Sequence, residues 1–450
     1  MDIKLKLILD SPCGMRYIFD KLEIQSSFSR YILLESKMAI SIDDIQKQYD
    51  ELSEFLICFG KDNAFHHLSA KLRSKLSHVK DIRTTISSLS GESTLDDIEF
   101  FEVKNLAIIS EDIRELLQDV DLHSTEIRLP DLSEMLNILD PEQQRINSFY
   151  VYDSYNNELK ELRKIIRSGG GYTEEHLYRV AIIEQKVRAG LAVKLKPFSM
   201  DLEKSLYRLA KIDILLAKVH QLEELHLSIP CIGENKNSYR QLFNPEVKDI
   251  LNKKGEEFQH VDIEFEASSP LLITGANMGG KSITLKTLAL SQYLFQFGFG
   301  IPVEWAYISP VSNVFLSLGG VQSVQEGLSS FAAEMLQIND ILKKIKKREF
   351  VLALIDEPAG TTNPLEGTAL VTALLKILQK YNSLVIVTTH YNIDNIGCKR
   401  LRVRGFINNK MDYALVEDAG TNAPREALRI AATLKIDDEW IEIANKELKT

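Results

Sequence analysis

The stretch LLITGANMGGKS, from Leu271 to Ser282, decides how the C-terminal half of the chain folds. Its first four residues, Leu271 to Thr274, have strand character, and a helix-forming run from Ile283 to Leu294 follows the stretch at once. The intervening residues have the spacing G-x-x-x-x-G-K-S, which is typical of a phosphate-binding loop in this context. The glycines allow backbone N–H groups to close around phosphate oxygens, and the helix N-terminus adds a favourable partial charge. The stretch therefore predicts a site for a nucleoside triphosphate.

The side chains of this loop are the first candidate site residues. We expect Lys281 to reach the β- and γ-phosphates and the Ser282 hydroxyl to bind Mg²⁺. The predicted nucleotide-binding residues are Gly275, Ala276, Asn277, Met278, Gly279, Gly280, Lys281, Ser282 and Ile283.

Bulk composition narrows the class of protein. With 450 residues the chain has room for two or three domains that each bury a core. The formal net charge of -10 gives no overall basic field for a polyanion, although nucleic-acid binding needs only a local basic stripe. The four cysteines lie far apart, as is typical of reduced thiols in a cytosolic protein. The sequence shows no signal peptide and no apolar run of membrane-spanning length, so we predict a cytoplasmic protein without membrane contact.

Apolar spacing predicts helices over the first half of the chain. Residues 1–125 place apolar side chains three and four positions apart, and the run Thr94-Leu95-Asp96-Asp97 predicts a capped helix start in which Asp97 takes the place of the usual glutamate. Three longer helices are predicted at about residues 156–167, 173–194 and 200–227. A glycine-rich reversal at 169–171 separates the first of them from the second. Such antiparallel helices form either a projecting lever or an ordinary bundle, and the sequence leaves both open.

From about residue 238 the pattern changes to alternating strands and helices. Residues 261–265 alternate apolar and polar side chains, as in a half-buried strand. The continuous apolar runs at 351–355 and 384–387 are typical of buried parallel strands, and a helix is predicted between them at about 366–381. Strands that alternate with helices predict a mostly parallel sheet covered on both faces, which is an α/β architecture.

Polar residues stand where the predicted parallel strands end. Asp356 and Glu357 follow the strand at 351–355, and His390 follows the next strand. Because ligands bind at the carboxyl edge of such sheets, we expect Asp356 to hold Mg²⁺ directly or through water. Glu357 is placed to orient and deprotonate an attacking water, and His390 to sense the γ-phosphate. Ser329 is expected to cap a helix whose exposed amides are open to an anion, or to be an ordinary cap.

Four motifs in this order, GANMGGKS, LSSFAAEM, LIDEPAGTTNPLEG and TTHY, resemble the MutS family of ATPases. Weaker matches at Leu9 to Arg16 and Val79 to Arg83 resemble the start of the MutS core domain. The motif DEPAGTTNPLEGTAL resembles the bacterial recombination-suppressing branch of the family more closely than the mismatch-recognising branch. The resemblance implies ATP as the nucleotide. It also implies an α/β P-loop NTPase domain of the ABC type at the C-terminus, preceded by an all-α core and lever domain.

The resemblance also predicts three segments. These are a helical core at 1–125, lever-like long helices at 126–237 with the clamp reduced or absent, and an ATPase domain with a helical tail at 238–450. Because the core-like motif already begins at Leu9, we expect the chain to lack a mismatch-reading domain of its own.

A homodimer with two composite sites is a further implication of the resemblance. Ser329 would approach the γ-phosphate held by the other subunit, and Asn277 would help to place that phosphate. The run Thr361-Thr362-Asn363 would lie at the dimer face. Glu357, His390 and Ser329 are thus the expected catalytic residues. Asn244 departs from the family pattern, because it stands where the family has a histidine beside the adenine.

Three functions are compatible with this sequence. The resemblance favours an ATPase whose helical arms open and close around duplex or branched DNA, and basic runs at 71–75 and 343–348 offer either phosphate contacts or ordinary solvated helix faces. The acidic balance favours an ATPase that remodels a partner protein, for example to reactivate an enzyme. A nucleotide-gated scaffold with little turnover is the third hypothesis, and the presence of Glu357 and His390 argues against it.

Overall fold

A computed structural model describes most of the chain, at residues 3–91, 94–146, 148–168, 173–275, 280–318, 330–393, 396–407, 410–418 and 437–447. The chain divides into two compact units. The first consists of Met1–Leu22, Ser36–Asp50 and Gln221–Thr450, and the second of Glu23–Glu35 and Glu51–His220. This division assigns parts of the first 50 residues to different units, whereas the sequence predicted one helical core at 1–125. The three segments remain predictions.

The regular elements are numbered here in chain order. The helices are α1 (Leu5–Ile8), α2 (Met15–Asp20), α3 (Ser27–Glu35), α4 (Ile42–Phe59), α5 (His66–Leu76), α6 (Arg83–Ser90), α7 (Asp97–Leu116), α8 (Ser133–Leu139), α9 (Asn157–Arg167), α10 (Glu174–Leu195), α11 (Ser199–Glu224), α12 (Pro245–Lys253), α13 (Lys281–Gln296), α14 (Ser330–Lys346), α15 (Pro364–Leu378) and α16 (Asp438–Glu447). The strands are β1 (Cys231–Ile232), β2 (Lys236–Leu242), β3 (Val261–Glu266), β4 (Leu271–Thr274), β5 (Trp305–Ile308), β6 (Asn313–Ser317), β7 (Val351–Ile355), β8 (Leu384–Thr389), β9 (Arg400–Ile407) and β10 (Lys410–Glu417). Among the described helices, none has the length and apolar character needed to cross a membrane.

A six-stranded sheet is the centre of the first unit. Its strand order is β10-β9-β4-β8-β7-β6, and every neighbouring pair is parallel except the antiparallel pair of β9 and β10 at one edge. All five residues of β7 and all six of β8 are buried. Residues of α14 and α15 pack against alternate positions of these strands in one apolar cluster, and α13 contacts β6 and β7. The predicted mostly parallel α/β sheet is therefore present in this unit.

The predicted strand at 261–265 lies in a different place from the one expected. It is β3, and its buried and exposed positions alternate as predicted. However, it pairs antiparallel with β2 in a separate four-stranded sheet of order β1-β5-β2-β3. Alternation reports that one face of a strand is covered, but it does not identify the partner strand or the sheet that the strand joins.

The regular elements that lie wholly in the second unit are helices. The long helices α9 and α10 begin and end within a residue of the predicted positions, and the reversal at 169–171 lies outside the described residues. The predicted cap at Thr94 is wrong by two residues. Asp96 is the N-cap of α7, its carboxylate accepts from the Glu99 N–H at 2.8 Å, and Glu99 accepts in return from the Asp96 N–H. A true capping glutamate at Glu99 outcompetes the Thr94–Asp97 pairing.

A buried polar group ties the irregular segment after α8 to α7 in this unit. The Lys104 ammonium donates to the Tyr152 hydroxyl at 2.9 Å and lies 3.4 Å from Asp140 Oδ1. The Tyr152 hydroxyl donates to the same oxygen of Asp140 at 2.9 Å. The Lys104 and Asp140 side chains are only 1% and 5% exposed, so each charge depends on the other for compensation.

Candidate functional site

The glycine-rich loop begins where β4 ends and stops where α13 begins. Gly275 has φ +145°, and a Cβ atom there would lie 3.2 Å from Val403 Cβ of β9. Gly280 has φ +75°, and a Cβ atom there would lie 3.1 Å from the Tyr413 ring. Both positions therefore require glycine for conformation and for space. The predicted loop residues Ala276, Asn277, Met278 and Gly279 lie outside the described part of the chain.

Lys281, the first residue of α13, directs its ammonium group towards Gly275 at the end of β4. Its Nζ donates to the Gly275 carbonyl oxygen at 2.8 Å and lies 3.0 Å from Glu357 Oε1. The side chain is 4% exposed, so the charge is almost fully withdrawn from water. A buried ammonium at a helix N-terminus beside a glycine-rich loop is suited to bind phosphate oxygens.

Ser282 and Asp356 meet although they come from different elements. The Ser282 hydroxyl donates to Asp356 Oδ2 at 2.5 Å, and the Thr388 hydroxyl donates to Asp356 Oδ1 at 2.5 Å. Each carboxylate oxygen of Asp356 is thus fixed by one hydroxyl. A serine hydroxyl beside an oriented carboxylate is a pair of hard oxygen donors, and this donor set fits Mg²⁺.

Glu357 is the second residue after β7 and faces His390. His390 Nδ1 lies 3.3 Å from Glu357 Oε2, while the other carboxylate oxygen pairs with Lys281. The Glu357 N–H donates to the Thr388 hydroxyl at 3.0 Å, so Thr388 links Asp356 to its neighbour. Lys281, Asp356, Glu357 and His390 therefore form one connected polar group at the carboxyl edge of the sheet.

A cavity of about 610 Å³ opens beside this group. Its polar wall includes Lys281, Ser282, Asp356 and Glu357. Apolar and aromatic side chains also line it, namely Val247, Leu251, Phe258, Val261, Ile283 and Tyr413. The volume and the mixed lining fit a molecule with both a charged and a flat apolar part, such as a nucleotide.

A third carboxylate, Glu334 of α14, also lines the cavity. Its Oε2 accepts from the Ala359 N–H at 3.3 Å, whereas its Oε1 is buried and has no hydrogen-bond partner among the residues that the structure describes. Burial raises the pKa of Glu334, and the nearby charge of Asp356 raises it further. Ser329, which precedes this helix, lies outside the described residues.

The structure thus brings together most of the site residues expected from the sequence, and their roles remain predictions. Sequence reasoning missed Thr388, Glu334 and Phe258. Thr388 was open to the same strand-end argument that identified His390, because it also stands at the carboxyl edge of β8. Glu334 lies on a helix, and no spacing rule connects it with residues after β7.

Asn244, the departure from the family pattern, has a structural role. Its side chain caps α12 by accepting from the Val247 N–H at 3.1 Å. Its amide nitrogen donates to the Thr287 hydroxyl at 3.2 Å, and the residue is 4% exposed. These contacts hold α12 against α13, where Val247 and Leu251 line the cavity.

The basic runs considered as phosphate contacts are partly neutralised. Arg73 pairs with Glu23, and Lys75 Nζ lies 2.5 Å from Asp112. In the second run Lys343 lies 2.8 Å from Asp340, and Lys344 pairs with a glutamate at 3.3 Å. Acidic partners at these positions favour solvated helix faces over a basic stripe.

Comparison with known proteins gives consistent similarities. The sequence family MutS domain V matches residues 271–414. Endonuclease MutS2 of Enterococcus faecalis is 33% identical over 281 residues, which cover 58% of this chain and 33% of the relative. Endonuclease MutS2 of Ligilactobacillus salivarius is 32% identical over 243 residues, covering 53% of the chain and 29% of the relative.

A third relative aligns with almost the whole chain. Endonuclease MutS2 of Lactococcus lactis subsp. lactis is 24% identical over 473 aligned residues, covering 99% of the chain and 54% of the relative. The chain therefore spans about half, or less, of the length of these relatives. The matched domain contains β4, α13, β7 and β8, whose ends carry the polar group described above. These similarities support a MutS family member, and the similarity to MutS2 proteins agrees with the branch that the motifs predicted.

Proposed function

We propose that this protein is an ATPase of the MutS type that binds and hydrolyses Mg²⁺-ATP in the cavity beside α13. The observation that carries the proposal is the meeting of Lys281 and Ser282, at the start of a helix, with Asp356 and Glu357, at the end of a strand about 75 positions later. The loop supplies a cation and backbone N–H groups for phosphates, and the strand end supplies carboxylates for a metal ion and for water. The proposed domain architecture is a P-loop NTPase domain in the first unit and a helical core and lever in the second.

The proposed chemistry assigns one task to each side chain. Lys281 holds the β- and γ-phosphate oxygens, and Ser282 and Asp356 hold Mg²⁺. When bound, Mg²⁺ neutralises charge on the β- and γ-phosphates. Glu357 accepts a proton from the water whose oxygen forms a bond to the γ-phosphorus, while the bond from that phosphorus to the β-γ bridging oxygen breaks and ADP leaves. His390, held 3.3 Å from Glu357, keeps that carboxylate oriented and contacts the γ-phosphate.

We extend the proposal to a homodimer in which Ser329 of one subunit completes the site of the other. Thr361 lines the cavity, and Leu365, at the start of α15, is 83% exposed. Because single exposed apolar residues are common on protein surfaces, the support for this arrangement is the family resemblance of the motifs around Ser329 and Thr361. In this arrangement nucleotide binding brings two subunits together, and the helical unit responds to that closure.

The target of this motion has two candidates. Similarity to the MutS family favours duplex or branched DNA. The net charge of -10 and the paired basic runs favour a partner protein that the ATPase remodels. The DNA hypothesis ranks first, because similarity to a MutS2 protein extends over 99% of the chain, whereas a negative net charge still permits a local basic contact.

Nucleotide binding by variants of α13 tests the central proposal. Lys281→Ala should lose affinity for ATP, because the phosphates lose their only side-chain cation from this helix start. Lys286→Ala is the matched control, since it removes the same charge from the same helix at a residue that does not line the described cavity. Equilibrium binding of a fluorescent ATP analogue and release of inorganic phosphate are the two measurements. Equal affinity in the two variants, or no binding by the wild type, would contradict the proposal.

A further inference from the structure

The turn that carries Glu357 has an uncommon backbone. Glu357 has φ +46° and Ala359 has φ +58°, and neither residue is glycine. L-amino acids with side chains rarely adopt this left-handed region, and they persist there only when their surroundings hold them. The turn is closed by a hydrogen bond from the Gly360 N–H to the Glu357 carbonyl oxygen at 3.0 Å. This local bond does not by itself fix the direction of the turn.

Two side chains form hydrogen bonds with the backbone of Ala359, one with its carbonyl oxygen and one with its N–H. The Tyr391 hydroxyl donates to the Ala359 carbonyl oxygen at 2.7 Å. The Ala359 N–H donates to Glu334 Oε2 at 3.3 Å. Ala359 itself is fully buried, and its N–H depends on Glu334, while its carbonyl oxygen accepts the shorter bond from Tyr391 and a longer one of 3.3 Å from the Thr362 N–H. We call Tyr391, Glu334 and the Ala359 backbone together the Ala359 clamp.

Packing against neighbouring residues fixes the position of the Tyr391 hydroxyl. Tyr391 is 8% exposed and belongs to the apolar cluster between α14, α15 and the sheet. Its ring end lies against Gly367 of α15, where a Cβ atom would be only 2.4 Å from the hydroxyl oxygen. Burial, followed by the charges of Glu334 and Glu357, raises the pKa of Tyr391, so the hydroxyl keeps its proton and remains a donor.

We propose that Tyr391 and Glu334 are positioning residues for Glu357: the Ala359 clamp fixes the left-handed turn from which Glu357 reaches Lys281 and His390. The inference rests on the proposed ATPase function, in which Glu357 accepts the proton from water. Neither residue is required to touch ATP for this role. Loss of the clamp lets the turn relax, which moves the Glu357 carboxylate relative to the attacking water and slows turnover more than it weakens binding.

Tyr391→Phe is the first test, because it removes only the hydroxyl and keeps the buried ring. Tyr381→Phe is the matched control, since Tyr381 packs against the same apolar cluster and its hydroxyl makes no hydrogen bond with the described residues. We expect kcat of Tyr391→Phe to fall about 10- to 100-fold with KM and ATP affinity within about twofold of wild type. The control should retain wild-type kcat. A kcat for Tyr391→Phe equal to that of the control would overturn the inference.

Gly367→Ala tests the position of the Tyr391 hydroxyl without changing any of the three members of the clamp. The added methyl group overlaps the buried ring end of Tyr391 and must displace its hydroxyl. Because overpacking a core is destabilising, we expect a folded protein with a somewhat lower melting temperature and a kcat lowered to the same degree as in Tyr391→Phe. Wild-type kcat in a folded Gly367→Ala protein would count against the clamp.

A pair of variants at Glu334 separates hydrogen bonding from charge. Glu334→Gln keeps an oxygen that accepts from the Ala359 N–H, and Glu334→Ala does not. A positioning role predicts kcat near wild type for glutamine and the larger loss for alanine. Equal loss in both variants would show that the charge of Glu334 is what matters and would remove this residue from the clamp.

The same assays keep the two proposals apart. If the wild-type protein neither binds nor hydrolyses ATP, the proposed function is wrong whatever the variants do. If the wild type turns over ATP and Tyr391→Phe matches it, only the inference about the clamp is wrong.

Discussion

The hydroxyl of Ser282 lies 2.5 Å from the carboxylate of Asp356, although the two residues are 74 positions apart in the sequence. This contact joins the start of α13 to the end of β7. It exists because β4 and β7 both pair with β8, so that their carboxyl ends meet at one edge of the sheet. The parallel pairing of distant strands therefore creates the candidate metal site.

Removal of the Ser282 hydroxyl should raise the requirement for Mg²⁺. Ser282→Ala takes away one of two proposed oxygen donors, and we expect the Mg²⁺ concentration for half-maximal ATP hydrolysis to rise at least about tenfold, the size of loss that even outer partners of a metal ion produce. The control is Ser291→Ala on the same helix, because the buried Ser291 hydroxyl has no hydrogen-bond partner within the described part of the chain. An unchanged Mg²⁺ titration for Ser282→Ala would remove this residue from the metal site.

Glu357→Gln should separate binding of ATP from its hydrolysis. Glutamine has nearly the shape of glutamate but cannot accept the proton of the attacking water, so we expect hydrolysis to slow by about 10²- to 10⁴-fold while ATP still binds. Single-turnover phosphate release and equilibrium nucleotide binding measure the two steps. Glu349→Gln is the control, since Glu349 pairs with Lys344 at the end of α14 and does not line the described cavity. Turnover near that of wild type would exclude Glu357 as the base.

Mixed variants test whether two subunits share each site. Ser329→Arg and Lys281→Ala should each lack ATPase activity, because every homodimeric site then has one defective half. In an equimolar mixture, random pairing restores about a quarter of the sites, since half of the dimers are mixed and one of their two sites is intact. Phosphate release by the mixture is the measurement, and each variant alone is its control. If mixing restores no activity while both proteins bind each other, Ser329 does not act in trans.

Binding to DNA should depend on salt if DNA is the target. Fluorescence anisotropy with labelled duplex and branched DNA, in the presence of ATP or ADP, should show affinity that falls steeply between about 50 and about 200 mM salt. Lysine and arginine contacts to phosphates release counterions, and salt opposes that release. Absence of binding at the lower salt concentration with either nucleotide would reject the DNA hypothesis and favour a partner protein.

The buried pair of Lys104 and Asp140 should make stability of the helical unit sensitive to acid. Burial alone would raise the pKa of Asp140, but the Arg145 N–H, the Tyr152 hydroxyl and the Lys104 charge outweigh it, and the pKa lies below its ordinary value of 3.8. The Asp140 carboxylate therefore binds a proton more readily in the unfolded chain than in the folded protein. The contribution of the Asp140 carboxylate to the stability of the folded protein is complete above the ordinary pKa of Asp. It is lost as pH falls through the lowered pKa of Asp140 in the folded state.

Asp140→Asn tests this interaction. It leaves the Lys104 ammonium buried without its partner charge, and we expect a loss of about 3–5 kcal/mol in the free energy of unfolding at neutral pH. Asp201→Asn is the control, because the Asp201–Lys204 pair is half exposed and should contribute less than about 1 kcal/mol. Urea denaturation of the full chain at neutral and acidic pH measures both. A difference between Asp140→Asn and wild type that persists unchanged in acid would contradict the assigned role of the Asp140 charge.

Local patterns were sufficient for much of the fold and for part of the site. The glycine spacing located the loop before Lys281, and the apolar runs located β7 and β8. Asp356 and His390 could be chosen because strand ends of a parallel sheet converge, which is a general rule that needs no coordinates. The capping error at Thr94 arose because two overlapping cap patterns compete within a few residues, and only the folded helix selects Asp96.

What the sequence by itself determined is the set of local elements and the chemistry at their ends, because periodicity and turn residues act over a few positions. Only the tertiary structure decided that β3 joins a separate sheet and that the first 50 residues are divided between two units. It also decided that Glu334 and Tyr391 meet at Ala359. Strand pairing and the left-handed backbone of Ala359 are imposed by contacts between residues far apart in the chain, and no local pattern encodes such contacts.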